Sequence, residues 1–208
     1  MIQLLQDSRL TKSLYGEFGW AFALKQEDQL IRLFRDDPPL GAVLRILRYD
    51  DEITEIAESL TFDETPVAWL EEVRLSISGK PSYLLTRDMS TGIGARSGPK
   101  TYLYEVAQGK LRPIEYVDSR TKKKGKIAVL RSMVTNWGLV TSKDGKSQDI
   151  LYADCEPDTS KDPADFKVYF RRYHFDSKKW LRYQSVKDGY WEVGTEKLPP
   201  LSKFPPGP

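Results

Sequence analysis

The stretch Val67-Ala68-Trp69-Leu70-Glu71-Glu72-Val73-Arg74-Leu75-Ser76-Ile77 decides the fold class. Val67, Trp69, Val73, Leu75 and Ile77 fall on every second position, with Glu71 the one interruption. A period of two is the signature of a strand with one apolar face, because successive side chains point to opposite sides of a pleated chain. Glu71 shares the face of Trp69 and Val73 and is expected to turn into solvent near the strand end. Immediately after the stretch, Ser78-Gly79-Lys80-Pro81 has the composition of a tight reversal.

The same pattern recurs on both sides. Trp20, Phe22 and Leu24 alternate early in the chain, and Tyr102, Tyr104 and Val106 alternate with Thr101, Leu103 and Glu105. Val168 and Phe170 take one side of a later strand, and Tyr169, Tyr173 and Phe175 the other. Gln108-Gly109-Lys110, Lys143-Asp144-Gly145-Lys146, Ser177-Lys178-Lys179 and Lys187-Asp188-Gly189 supply turns between runs. The expected fold is therefore all-β and mainly antiparallel, with about 11 to 14 strands at the usual spacing. A meander folded into a sandwich or barrel accommodates them, with an irregular small propeller as the alternative. Residues 1–208 read as one domain, two-lobed at most. Five prolines from Pro199 to Pro208 make 198–208 an extended coil that cannot donate to a ladder.

Two segments also carry a helical stripe. Ile53, Ile56, Ala57 and Leu60 fit it, but Tyr49-Asp50-Asp51-Glu52 reads as a hairpin turn, which favours strand for 50–62. Ile127, Leu130, Val134 and Trp137 leave 127–137 open between helix and strand.

Composition restricts the chemistry. The net charge is +2 from 32 basic and 30 acidic residues, so no global field draws the chain to nucleic acid or anionic lipid. Cys155 is the only cysteine, which rules out an intramolecular disulfide and a cysteine-based zinc site. His174 is the only histidine and is expected to be a packed strand residue, so a Cys155–His174 dyad ranks low. No apolar run is long enough for a spanning helix. Met1 to Thr11 shows neither the basic flank nor the apolar stretch of a leader peptide. An exported protein after processing shows the same, which leans the compartment towards periplasm or exterior only if a leader has been removed.

Four constellations remain. The glycine-rich loop from Thr91 to Thr101 lacks the following helix of a dinucleotide site, and Pro99 separates Gly98 from Lys100, unlike a P-loop. It reads as a hairpin loop able to mould to a partner, with Arg96 and Lys100 as its charged contacts. Asp154, Glu156, Asp158, Ser160, Asp162 and Asp165 hold positions 1, 3, 5, 7, 9 and 12 of a calcium-type loop. Thr159 in the glycine position, Lys161 inside the cage and strand-like flanks count against calcium; no other cofactor is expected. The basic run Arg120, Lys122, Lys123, Lys124 and Lys126 lies in a segment, 96–146, with 12 basic against 4 acidic residues. Such lysines also keep edges solvated, and without a recognition signature nucleic acid ranks low as a partner. Finally, Tyr169, Arg171, Tyr173, Trp180 and Trp191 belong to an Arg/aromatic segment whose second face must be either outward or covered.

The reading is of a non-catalytic binding protein, of inhibitor, immunity or receptor type. It would recognise a protein through the 91–100 loop and an Arg/aromatic face made of residue types that dominate interfaces. A carbohydrate-binding protein using exposed rings, with calcium assisting, is the alternative. A carboxylate-based hydrolase comes third.

Overall fold

The computed structural model describes residues 2–6, 22–23, 42–50, 53–62, 67–75, 80–88, 94–108, 110–143, 145, 147–159, 165–191 and 197–207. Its strands are β1 (Ile2–Gln6), β2 (Phe22–Ala23), β3 (Ala42–Asp50), β4 (Ile53–Phe62), β5 (Val67–Val73), β6 (Ser82–Asp88), β7 (Lys100–Ala107) and β8 (Lys110–Pro113). They continue as β9 (Glu115–Asp118), β10 (Lys124–Lys126), β11 (Ala128–Leu130), β12 (Thr135–Thr141), β13 (Gln148–Pro157), β14 (Phe166–Phe175) and β15 (Trp180–Asp188). One short 3-10 turn, Leu201–Lys203, follows.

Three sheets result. The first has the order β2-β1-β3-β4, the second β11-β7-β6-β5 with β8 also on β7, and the third β10-β9-β15-β14-β13-β12. The 50–62 segment is strand, with Asp50 opposite Ile53 across its turn. The 127–137 segment resolves into β11, a bridge between Ser132 and Thr135, and the start of β12. Trp20 and Leu24, the Ser78-Gly79 pair and Thr91 to Ile93 lie outside the described residues.

The second and third sheets pack face to face as a sandwich, and no closed barrel forms among the described residues. Leu75, Leu84, Leu103 and Val129 from one sheet meet Ile150, Tyr152, Tyr173 and Trp180 from the other, all below a tenth exposed. Removing such side chains from water stabilises the fold by roughly 1.5–3 kcal/mol each.

A pure meander is not what the chain forms. After β8 the polypeptide leaves the second sheet at Ile114 and joins the third as β9, and after β10 it returns at Ile127 to become β11. β9 thereby lands beside β15 in parallel, with Tyr116 opposite Trp180 and Asp118 opposite Arg182. Three amides close a ring where the sheets branch. Leu103 N–H donates to Ile127 O, Ile127 N–H to Ile114 O and Ile114 N–H to Leu103 O, at 3.3, 2.9 and 2.9 Å. The branch point therefore leaves no backbone group at these residues unpaired inside a dry core. Their side chains are all buried.

The outer face of the third sheet is covered as well. Leu151, Ala153, Cys155, Val168 and Phe170 form a second core against Phe204, with Trp191 and Leu198 packed on it. Phe204 meets the Phe170 ring edge-to-face at 5.5 Å. The proline-rich segment, expected as extended coil, joins no ladder but contains the Leu201–Lys203 turn, and it is docked through its side chains.

Candidate functional site

The 94–99 loop passes over the end of the sandwich, and Arg96 fixes it there. Arg96 donates from one terminal nitrogen to Asp154 Oδ1 at 2.8 Å and from the other to the Cys155 carbonyl at 3.1 Å. Asp154 sits on the inner face of β13, between Thr135 and Tyr169 on the flanking strands, and is 2% exposed. Its second oxygen accepts from Arg171, 2.9 Å away. Every nitrogen of Arg171 has a partner: Nε donates to Gln184, and the two terminal groups to Asp154 and Glu156. The guanidinium also lies over the Tyr152 and Tyr169 rings, 5.5 and 5.1 Å from their centroids. The inner members of this network, Asp154 and Arg171, are largely buried and persist there only because each is paired. Burial first, and then Asp154 beside it, raise the Glu156 carboxyl against the pull of Arg171. Burial likewise raises the Tyr152 phenol, with Asp154 adding to it.

Beneath the loop opens a cleft of about 570 Å³ lined by Arg87, Arg96, Lys100, Tyr102, Tyr152 and Arg171 together with loop and β11 backbone. Its lining contains no carboxylate, imidazole or thiol. Lys100 Nζ stands 5.2 Å and the Arg87 guanidinium 5.8 Å from the Tyr102 ring centroid. Gly98 makes the loop's close approach feasible, since a Cβ there would lie 2.0 Å from the Arg131 carbonyl oxygen.

The structure thus brings Arg96, Lys100 and Arg171 together and sets Tyr169 directly under Arg171. It separates the other sequence candidates. Tyr173 and Trp180 belong to the sandwich core, at 3% and 6% exposure, and do not form an outer face. Trp191 packs half-buried on the second core. Tyr173 and Trp180 thus face the second sheet and Trp191 the C-terminal segment, so these candidates form no single outward face, while Tyr190 of the same segment stays exposed. Tyr102, Tyr152 and Arg87 were not singled out from the sequence. Only the pairing of β7 with β11 and the stacking of the two sheets place them beside the loop.

The acidic spacing does not gather into a calcium cage among the described residues. Asp154 and Glu156 lie on a strand with their oxygens turned to Arg96 and Arg171, and Asp158 ion-pairs with Lys167 at 2.9 Å. Ser160 and Asp162 lie outside the described residues. Cys155 is buried opposite Val168, six positions along β14 from His174, or roughly 20 Å of strand. His174 Nδ1 instead lies 2.8 Å from Asp149 Oδ1 on the outer face, and Asp149 Oδ2 accepts from Arg172 at 3.1 Å.

The basic run forms the β9–β10 hairpin, with Arg120, Lys122, Lys123, Lys124 and Lys126 all exposed. A second cleft, about 830 Å³, opens near it between Arg112, Lys126, Phe175, Lys178 and Lys179. No helix among the described residues is long and apolar enough to cross a membrane. No family model, curated protein or solved structure matches the chain.

Proposed function

We propose that this chain is a non-catalytic binding protein that recognises an acidic segment of a protein partner in the cleft beneath the 94–99 loop. The observation that carries this reading is the state of its cations. Arg96 and Arg171 are held by Asp154 and Glu156 and shape the walls. Lys100 is neutralised by no carboxylate among the described residues, and it stands exposed over Tyr102. A rigid rim made by paired guanidiniums, with an unneutralised ammonium on a tyrosine face, suits a carboxylate arriving on a peptide. Preorganisation lowers the ordering cost that weak interfaces suffer.

The test is fluorescence anisotropy with an array of labelled acidic peptides, comparing the natural chain with Lys100→Glu and Tyr102→Ala. Binding that weakens at least tenfold in both variants, and weakens further with added salt, supports the reading. Affinity indifferent to Lys100→Glu removes the cleft from consideration.

A further inference from the structure

A third opening lies on the other side of β11, between the inner face of the second sheet and the edge strand β12. It is a slot of about 190 Å³, and its lining includes Trp69, Glu71, Thr86, Thr101, Arg131 and Trp137. The register explains how these residues meet. Trp69 lies opposite Thr86, and Thr86 opposite Thr101, in one row across three strands; Glu71 lies in the next row, opposite the core residue Leu84. The sequence pattern placed Trp69 and Glu71 on one face, and that face here looks into the slot.

Four features set the slot apart from an ordinary sandwich edge. Trp69 is 38% exposed although it sits on the face that elsewhere forms the core. Glu71 is exposed and forms no ion pair or hydrogen bond with a described residue. The Thr86 and Thr101 hydroxyls share a buried 2.7 Å hydrogen bond, a fixed polar spot inside the slot. Across the gap, the Arg131 guanidinium lies 5.5 Å from the Trp137 ring centroid and donates to the Trp137 carbonyl at 3.1 Å, so its position is set.

From this arrangement we infer that the slot is a binding site for a single sugar ring. A pyranose has C–H-rich faces that pack on the negative face of an indole and a rim of hydroxyls that need both acceptors and donors. Glu71 supplies the acceptor, Arg131 the donor, and the threonine pair either. Small ligands are bound by this combination of aromatic wall and few fixed polar groups. Arg131 already covers the Trp137 face, so a cationic ligand is left with Trp69 and Glu71 and must lie across the slot from a fixed guanidinium of like charge. The slot shares no side chain with the Lys100 and Tyr102 pair, so this site stands or falls apart from the peptide cleft.

The probe is a set of methyl hexopyranosides of gluco, galacto and manno configuration, followed by saturation-transfer NMR, with choline as the cationic comparison. Transfer to the ring protons of at least one glycoside, lost or weakened at least tenfold in Trp69→Ala and Glu71→Gln and kept in Tyr190→Ala and Lys100→Glu, supports the site. Tyr190, 54% exposed and outside the slot lining, controls for unspecific ring contact. Transfer to none of the glycosides, transfer to choline alone, or glycoside signals that survive Trp69→Ala each overturn it. Circular dichroism of each variant confirms that a lost signal is not a lost fold.

Discussion

Arg96 and Asp154, 58 positions apart in the chain, are joined by a 2.8 Å ion pair that fixes the 94–99 loop to strand β13. The two ends of this pair are unequal. Asp154 is buried with a side-chain exposure of 3%, whereas Arg96 is 44% exposed. Removing the arginine leaves Asp154 still paired with Arg171, and an exposed partner of this kind contributes about 1 kcal/mol or less. Removing the carboxylate leaves Arg171, only 15% exposed, with Glu156 and Gln184 as its remaining partners, and breaking a buried pair costs up to about 3–5 kcal/mol. Urea denaturation should therefore show Asp154→Ala far less stable than Arg96→Ala. Arg96→Ala should instead make the loop the first site of limited proteolysis. Equal losses of stability in the two variants are incompatible with this hierarchy.

The docked C-terminal segment gives a second expectation. Phe204 is 5% exposed against Phe170, while Leu201, three residues earlier in the same segment, is 57% exposed. Phe204→Ala should cost about 3 kcal/mol by the usual penalty for emptying an aromatic site, and Leu201→Ala less than about 0.5 kcal/mol. Gly138→Val tests the docking of the same segment at a second point, since a Cβ at Gly138 would lie 2.6 Å from Leu198 Cδ1. Chemical denaturation of the three variants checks the order, and a Phe204→Ala protein as stable as Leu201→Ala would show that the segment contributes nothing.

How much of this was legible beforehand depends on the range of the interaction. The alternation around Trp69, Glu71 and Val73 and the turn residues before Trp180 are local, and strand and hairpin follow from them directly. The docking of Phe204 was hidden because proline arithmetic concerns backbone donors, while a tail needs only side-chain contact to settle on a sheet. The parallel pairing of β9 with β15 was hidden for a different reason. It follows from the chain crossing between sheets at Ile114 and Ile127, two buried aliphatic residues that look like any others in the sequence. The site depends wholly on such long-range registers: Arg96 and Lys100 stood out by type, but Tyr102 and Tyr152 acquire meaning only once two sheets are stacked.

Acid should weaken the fold through Asp118. Burial alone would raise this carboxyl, but the Thr121 backbone amide and hydroxyl, together with the Arg182 guanidinium, outweigh it and bring it from the usual 3.8 down to about 2. A depressed folded-state value means that the ionised form is favoured by folding. The contribution is complete above pH 3.8, declines as the pH falls towards 2 and is absent below. At 1.36 kcal/mol per unit it amounts to about 2 kcal/mol. Stability measured by denaturant between pH 5 and 2 should fall less steeply in Asp118→Asn than in the natural chain. Parallel curves would remove Asp118 from the account.

Gly98 supplies the last expectation and ties the fold to the cleft. Its added Cβ would sit 2.0 Å from the Arg131 carbonyl oxygen, which is backbone, and Arg131 N–H donates to Pro99 O at 3.0 Å. The two segments are thus zipped at the point of contact, and no side-chain rotation relieves the clash. Gly94, in the same loop, has nothing within 4 Å of the corresponding position. Gly98→Ala should therefore cost about 1–3 kcal/mol, the usual range for overpacking, while Gly94→Ala should be close to neutral. Because Lys100 follows Gly98 by two residues and begins β7, pushing the loop off Arg131 should also shift its ammonium from the Tyr102 face. Acidic-peptide affinity should then fall in Gly98→Ala and stay constant in Gly94→Ala. Thermal denaturation and anisotropy on the same two proteins measure both effects, and a stable Gly98→Ala protein would contradict the packing of loop on strand from which the cleft is built.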